Sequence, residues 1–275
     1  MNIHFRSQTM HRQPVFYLTH GAGPCFWVTL PPPFDPFSYG ALRTYFEGIL
    51  ASLYERPSTV LIVSAHWEEA VPTISTARMP KMLYDYVGFP VEAYRLQHAA
   101  SGSPEVARRA EALFEQSDIA YAVNDHRGFD HGVFVPMKII DPDANLPIVM
   151  LSLRRDLDAA AHLAIGNALA PLRDEGVLII GSGSSYHNLS NIFHGDGQAS
   201  IEFDAWLAET VTSNERIRNV RLLDWETAPG ARASHPRAEH LMPLFIAAGS
   251  AAEDVGRRTF TGMIAGRAYS CFAFG

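Results

Sequence analysis

The chain has 275 residues, 47% hydrophobic and only 19% charged, with a formal net charge of −7. This length and apolar content suffice for one large core, while the acidic balance excludes a broad basic surface for nucleic-acid backbones. No stretch approaches the roughly 20 apolar residues of a membrane span, the polar start from Met1 to Gln13 lacks the apolar core of a secretory signal, and Cys25 and Cys271 make no disulfide framework, so the expectation is a reduced, cytoplasmic protein.

Val15 to Thr19 is a short apolar run ended by His20-Gly21-Ala22-Gly23-Pro24, which predicts a buried strand and a glycine-rich turn. After the extended loop at Pro31-Pro32-Pro33, apolar residues from Gly40 to Tyr54 recur at helical spacing. Ser58 to Ala65 predicts a central strand, because its continuous apolar run implies cover on both faces, and Val71 to Thr76 a neighbouring one. The aromatic segment Tyr84 to Pro90 is expected to be a loop. Ser103 to Gln116 predicts a helix with Ser103 as N-cap and Pro104 at its first position. A strand over Ile119 to Val123, a loop at Gly128 to Gly132 and a short helix through Ile140 follow. Pro147 to Leu153 predicts a strand, Leu157 to Asp174 a helix ended by Gly176, and Val177 to Ile180 a strand running into a Gly181-Ser182-Gly183-Ser184-Ser185 turn. Helices are expected over Ile201 to Thr212, Arg216 to Leu223 and Pro236 to Ala248, then closing strands at Phe260 to Met263 and Ala268 to Ala273. Alternating strands and helices with no linker or repeat argue one three-layer α/β domain spanning 1–275.

Histidines stand where strands are expected to end. His20, His66 and His187 fall at the carboxyl ends where α/β sheets collect ligands, and imidazole is the commonest protein ligand of a borderline metal. A solvated turn histidine at 20 and a hydrogen-bonded core histidine at 66 are the plain alternatives. The glycine-serine run before His187 lacks the lysine of a P-loop and the spacing of a dinucleotide fingerprint, so a tight turn presenting His187 is the better reading. Asn188 could orient a neighbour or a substrate. In Ser234 to His240, His235 and Glu239 would share a helix face, whereas Glu239 and His240 would diverge by about 100°; Glu239 also suits a helix first turn. His131 is a candidate acid or base with Asp130 as its orienting neighbour. His4, His11, His98, His126, His162 and His194 read as surface or structural. No G-x-S-x-G, Cys-x-x-Cys, H-E-x-x-H or GK[ST] motif is present. Trp27, Tyr84, Phe89 and Tyr186 would suit a flat ligand or a core equally, and Tyr186, Trp67 and Asn188, next to the histidines, are the substrate-contact candidates.

Leu18-Thr19-His20-Gly21, Val63 to Trp67, Tyr84 to Pro90, Gly128 to Gly132, Pro142 to Pro147, Val177 to Leu189 and His235 to His240 together resemble the class III extradiol ring-cleavage dioxygenases of the LigB superfamily, in particular the single-chain branch typified by 4,5-DOPA extradiol dioxygenase. The likeness covers nearly the whole chain. It implies a central mixed, mostly parallel sheet between helices (αβα), metal ligation by His20, His66 and His240, and a further metal-site histidine at His187 that looks like the catalytic base in the wider class. It places His131 in the substrate pocket. The wider class completes its ligand set with a glutamate, which keeps Glu239 as a rival to His240. The usual Gly-Ser/Thr-Pro after the first histidine is replaced by Gly21-Ala22-Gly23-Pro24-Cys25, in a loop expected to border the pocket.

The resulting expectation is a dioxygenase using a non-haem metal and O2 to cleave a catechol to a muconic semialdehyde type product. Fe(II) is the expected working ion, and Zn(II) is able to occupy the same site in isolated protein. His187 would take the catechol protons, and His131 or protonated His187 would return one. A zinc hydrolase on the same histidines and a non-enzymatic metal or redox protein are the rival readings. The expected partners are a small aromatic substrate and O2, with no nucleic acid or membrane, in a monomer or small homo-oligomer.

Overall fold

Every side chain of Val15–Thr19 (β1) is buried, as a strand covered on both faces requires. The computed structural model describes residues 11–195 and 197–275, so His4 lies outside the described residues. After β1 come α1 (Gly40–Gly48), β2 (Thr59–Glu69), β3 (Thr73–Ser75), α2 (Pro104–Gln116), β4 (Ala122–Asn124), α3 (His131–Ile140), β5 (Ile148–Arg154), α4 (Ala159–Leu169) and β6 (Val177–Gly183). Helices α5 (Leu189–His194), α6 (Gln198–Val211), α7 (Glu215–Leu223), α8 (Ala231–Ser234) and α9 (Met242–Ala251) lead to the hairpin β7 (Gly256–Ile264) and β8 (Arg267–Phe274).

These strands form one mixed sheet in the order β4-β3-β5-β2-β6-β1-β8-β7. The centre, β5-β2-β6-β1, is parallel; β8 and β7 close one side antiparallel, and β3 runs against β5 on the other. Alternate residues of β1 divide between two cores, because strand side chains point to opposite faces. Val15 and Tyr17 pack with residues of α2, α4, α6, α7 and α9, whereas Phe16 and Leu18 pack with residues of α1 and α3. The architecture is therefore three-layer αβα.

Several boundaries differ from the sequence expectation, each for a physical reason. Strand β2 continues past Ala65 to Glu69, but with a bulge. Val63 pairs with Leu151 and Glu68 with Leu153, so β2 takes five steps while β5 takes two, and His66 sits on the displaced stretch. Strand β6 includes Gly181-Ser182-Gly183, which is strand and not turn. Ile119 is not in β4, because its N–H caps α2 on the Phe114 carbonyl. Helix α4 gives way to a 3-10 stretch, Ala170–Glu175, before Gly176 stops it at φ 79°. The expected helix from Pro236 begins only at Met242. The His240 carbonyl accepts from Tyr17 Oη at 2.8 Å and Ser184 N at 2.9 Å, contacts that a continuous helix would not permit.

His98 is buried, and neither ring nitrogen has a partner among the described residues. Burial holds its pKa down to about 4. The unfolded chain binds a proton here below about pH 6.5 that the folded chain refuses until about pH 4, so stability contributed above that window is lost as pH falls through it. The expected result for His98→Leu is a shallower acid limb in urea titrations between those limits, by up to about one proton per molecule. An unchanged slope would show that His98 is not the group responsible.

Candidate active site

The carboxyl edge of the parallel strands gathers histidines from five distant segments, with His187 after β6 among them. His20 follows β1, His66 rides the β2 bulge, His131 opens α3, and His240 lies in the turn before α9. His20, His66 and His240 each present a ligand nitrogen within 4.8 Å of the others. His66 Nε2 lies 3.1 Å from His20 Nε2. Two nitrogens about 2.0–2.1 Å from one tetrahedral ion would be about 3.3 Å apart, so the pair already stands near shared-ligand spacing. His131 flanks this trio beside His66, with ring centroids 3.9 Å apart, and His187 flanks it beside His240, stacked at 3.4 Å.

The hydrogen-bond network selects the tautomers. Ser182 Oγ donates to the Gly132 carbonyl, which leaves it as acceptor for His20 Nδ1 at 3.0 Å. One carboxylate oxygen, Glu239 Oε1, accepts from His240 Nδ1 at 3.0 Å and His187 Nδ1 at 2.8 Å. Asp85 Oδ1 accepts from His131 Nδ1 at 2.8 Å, and its other oxygen lies 3.6 Å from His66 Nδ1. With protons fixed at Nδ1, the Nε2 lone pairs are left for a cation or a substrate, the usual outer arrangement of metal-binding histidines. Glu239 thus stands behind two imidazoles, even though it could also be grouped with His187 and His240 around an ion.

Electrostatics favour neutral rings. Burial, then the neighbouring imidazoles, hold His20 and His240 well below the ordinary histidine range. Burial and then His131 bring His66 down to about 3, against the pull of Asp85. Burial pushes the Asp85 carboxyl up, but hydrogen bonding to His131 outweighs it and lowers the group to about 2. Burial likewise raises Glu239, and the His187 hydrogen bond overcomes it, so this carboxyl also lies below its usual value. Neutral imidazoles with anionic carboxylates behind them are the donor set that a divalent cation needs. The residues therefore fit a metal of the kind that histidine-rich sites hold.

Two glycines permit this approach. A Cβ at Gly183 would lie 2.1 Å from the His240 carbonyl oxygen, and one at Gly132 would lie 2.9 Å from Ser64 Oγ and 3.0 Å from His66 Cδ2. Their role is close packing, not phosphate binding. Gly183→Ala is expected to cost about 1–3 kcal/mol, as overpacking does, and to weaken metal retention by shifting His240. Urea unfolding and metal analysis of the same preparation check this; wild-type values of both would exclude it.

The structure brings together His20, His66, His131, His187, His240 and Tyr186 around one cavity of about 230 Å³. It does not bring Trp67 or Asn188 there. Trp67 is buried, with Nε1 donating to Glu69 and the Arg127 guanidinium over its ring, because its neighbour His66 takes the cavity side. Asn188 caps α5, accepting from Asn191 N and donating to the Ala233 carbonyl. His235 shares no helix face with Glu239; it is buried, and its Nε2 bonds the Ser185 carbonyl. Asp130 does not orient His131. It accepts from Ser64 at 2.6 Å and Arg127 at 3.0 Å, while Asp85 takes the orienting place. Sequence reasoning passed over Asp85 and Ser182; the one signal for Asp85 was a carboxylate set among aromatics in the 84–90 loop. Among the other histidines, His162 is buried with both nitrogens bonded, and His11, His126 and His194 are exposed.

A family model described as the catalytic LigB subunit of aromatic ring-opening dioxygenase matches residues 16–267. The chain belongs to this LigB family. Among its LigB-type relatives, dioxygenase tasH of Hapsidospora irregularis is 37% identical over 277 residues, covering 93% of this chain and 83% of that protein. The 4,5-DOPA dioxygenase extradiol of Beta vulgaris is 37% identical over 243 residues, 87% of each chain. Its namesake in Escherichia coli K12 is 31% identical over 199 residues, 71% of this chain and 73% of the other. A crystal structure of an uncharacterized protein from E. coli K12 superposes with a TM-score of 0.76 at 25% identity, covering 96% of this chain and 100% of that one. Fold, family and relatives agree on a ring-opening dioxygenase of the extradiol kind. No helix among the described residues is long and apolar enough to cross a membrane.

Proposed function

We propose that the protein is an extradiol dioxygenase that opens the ring of a catechol with O2 to give a muconic semialdehyde type product. The observation that carries this reading is the convergence of His20, His66 and His240 within 4.8 Å at the floor of an aromatic-walled cavity. These three would hold the metal through Nε2, with Fe(II) as working ion and Zn(II) as an ion the same donors accept. Bound there, Fe(II) supplies an anchor for both catechol oxygens and the redox coupling of the ring to dioxygen.

The chain's own groups would handle protons and position. His187, with Nδ1 held by Glu239, offers Nε2 to remove a phenolic proton, and the carboxylate stabilises the imidazolium that results. The His187 imidazolium so formed would return its proton as the ring opens, and His131, held the same way by Asp85 on the other flank, would serve in its place when its Nε2 also carries a proton. Tyr86, Phe89 and Tyr186 wall the cavity and suit a flat ring. Burial of His20 and His240 keeps water and protons from competing for their lone pairs. The two buried, unpaired cysteines suit a reducing, cytoplasmic setting.

Anaerobic reconstitution with Fe(II), followed by air and a panel of catechols, tests the reading. Stoichiometric oxygen uptake with a coloured ring-opened product is expected. Ester or amide hydrolysis by the zinc form without oxygen uptake would replace it with the hydrolase alternative.

A further inference from the structure

We infer that the ring substituent of the substrate is apolar and uncharged, an alkyl or aryl catechol and not one bearing an amino acid or carboxylate group. The inference rests on the ring-cleavage reading and concerns the outer part of the same cavity. Away from the imidazoles its walls are Phe34, Tyr39, Phe89, Leu189, Ile192 and Tyr269, and among the described residues no Lys, Arg, Asp or Glu lines it.

Four of the lining hydroxyls are already engaged. Thr19 Oγ1 donates to the Ser270 carbonyl at 3.0 Å, Ser184 Oγ to the Tyr186 carbonyl at 2.7 Å, Tyr86 Oη to the Ala93 carbonyl at 2.7 Å, and Tyr186 Oη to Asn191 Oδ1 at 3.0 Å. Tyr86 and Tyr186 therefore meet the cavity as ring surface, which leaves the neutral hydroxyls of Tyr39 and Tyr269 as the polar atoms of the outer wall. The cation behind the Tyr186 wall, Arg267, is buried and directs its donors at Asn191, Ala265, Gly195 and Gly266, so it has no free edge for a carboxylate.

The apolar character continues outward. Leu189 and Phe193 are 57% and 52% exposed and lie four residues apart on α5, hence on one face. Phe193 meets Phe34 edge-on at 6.4 Å. Exposed apolar side chains such as Leu189 and Phe193, set against a cavity wall, suit the passage of an apolar ligand. An ammonium or carboxylate seated along these walls would lose water and gain no oppositely charged partner.

The test compares 4-propylcatechol, L-DOPA and 3,4-dihydroxybenzoate on the Fe(II)-loaded enzyme, by kcat/KM and by anaerobic calorimetric Kd. The expected kcat/KM for 4-propylcatechol exceeds that of either charged catechol by about 100-fold, the scale on which pockets reject groups they cannot pair. Leu189→Arg, a change at an exposed position, is expected to narrow that ratio at least tenfold by giving a carboxylate a partner. Equal or better turnover of L-DOPA or the benzoate by the unaltered enzyme would overturn the inference, as would a folded Leu189→Arg protein with an unchanged ratio. Should no catechol be cleaved, the ring-cleavage reading fails by itself, and the order of the three Kd values still decides the substituent: tightest for 4-propylcatechol sustains it, any other order overturns it.

Discussion

Alanine at His20 or at His66 is expected to release the metal and abolish ring cleavage while leaving the chain folded. Apparent binding energies of about 10–16 kcal/mol for a four-ligand zinc site give about 2.5–4 kcal/mol per ligand, so losing one imidazole should weaken binding by roughly 60–700-fold. The two replacements are not equivalent in their side effects. His20 is buried and holds Ser182, which in turn donates to Gly132 at the start of α3. His20→Ala therefore also leaves a cavity and takes from the Ser182 oxygen the donor it accepts, and it should lower the unfolding midpoint more than His66→Ala, whose ring is only partly buried. Metal content after gel filtration, read with far-ultraviolet circular dichroism, separates ligand loss from misfolding. Near-stoichiometric metal with unchanged affinity in either folded variant would remove that histidine from the proposed ligand set.

His187→Ala is expected to behave differently. Metal should stay at its wild-type level, and kcat should fall by about 10²–10⁴-fold, the usual worth of a positioned proton acceptor. The ground is geometric. His20, His66 and His240 already form a group without His187, whose Nδ1 is held 2.8 Å from Glu239 and whose ring stacks on His240. Glu239→Gln keeps the side chain's size but removes the charge behind both rings. It should cost about 10–100-fold in metal affinity or activity, as outer-shell changes do. Loss of metal in His187→Ala would instead make His187 a ligand and leave the proton step to His131.

Much of the scaffold was legible because its signals are local. β1, the Ser103-capped helix α2 and strand β5 follow from apolar runs and cap residues within a few positions of one another. His20, His66, His131 and His187 were legible for the same reason, each following an apolar run or a glycine-bearing turn or standing beside glycine, whereas His240 was marked only by the family resemblance. The run from Pro236 misled, since its residues suit a helix; Tyr17 and Ser184, more than 50 residues away in sequence, claim the His240 carbonyl and deny the turn. Trp67 and Asn188 misled because adjacency to a site histidine was read as facing the site. On a strand the next side chain points away, and a cap residue is engaged with its own helix.

By itself, the sequence determined that an acidic α/β chain would place imidazoles at the carboxyl edge of its strands, for apolar periodicity and turn residues act over a few positions. Only the tertiary structure decided which nitrogen of each ring faces the centre, that Glu239 and Asp85 stand behind the rings, and that the outer cavity is apolar. Apart from the Glu239–His240 bond between neighbours, those properties depend on hydrogen bonds and contacts between segments far apart in sequence, such as His66 with His20, 46 residues apart, and Tyr17 with His240, 223 apart. A side chain's direction is set by the partner that folding brings to it, which no local pattern encodes.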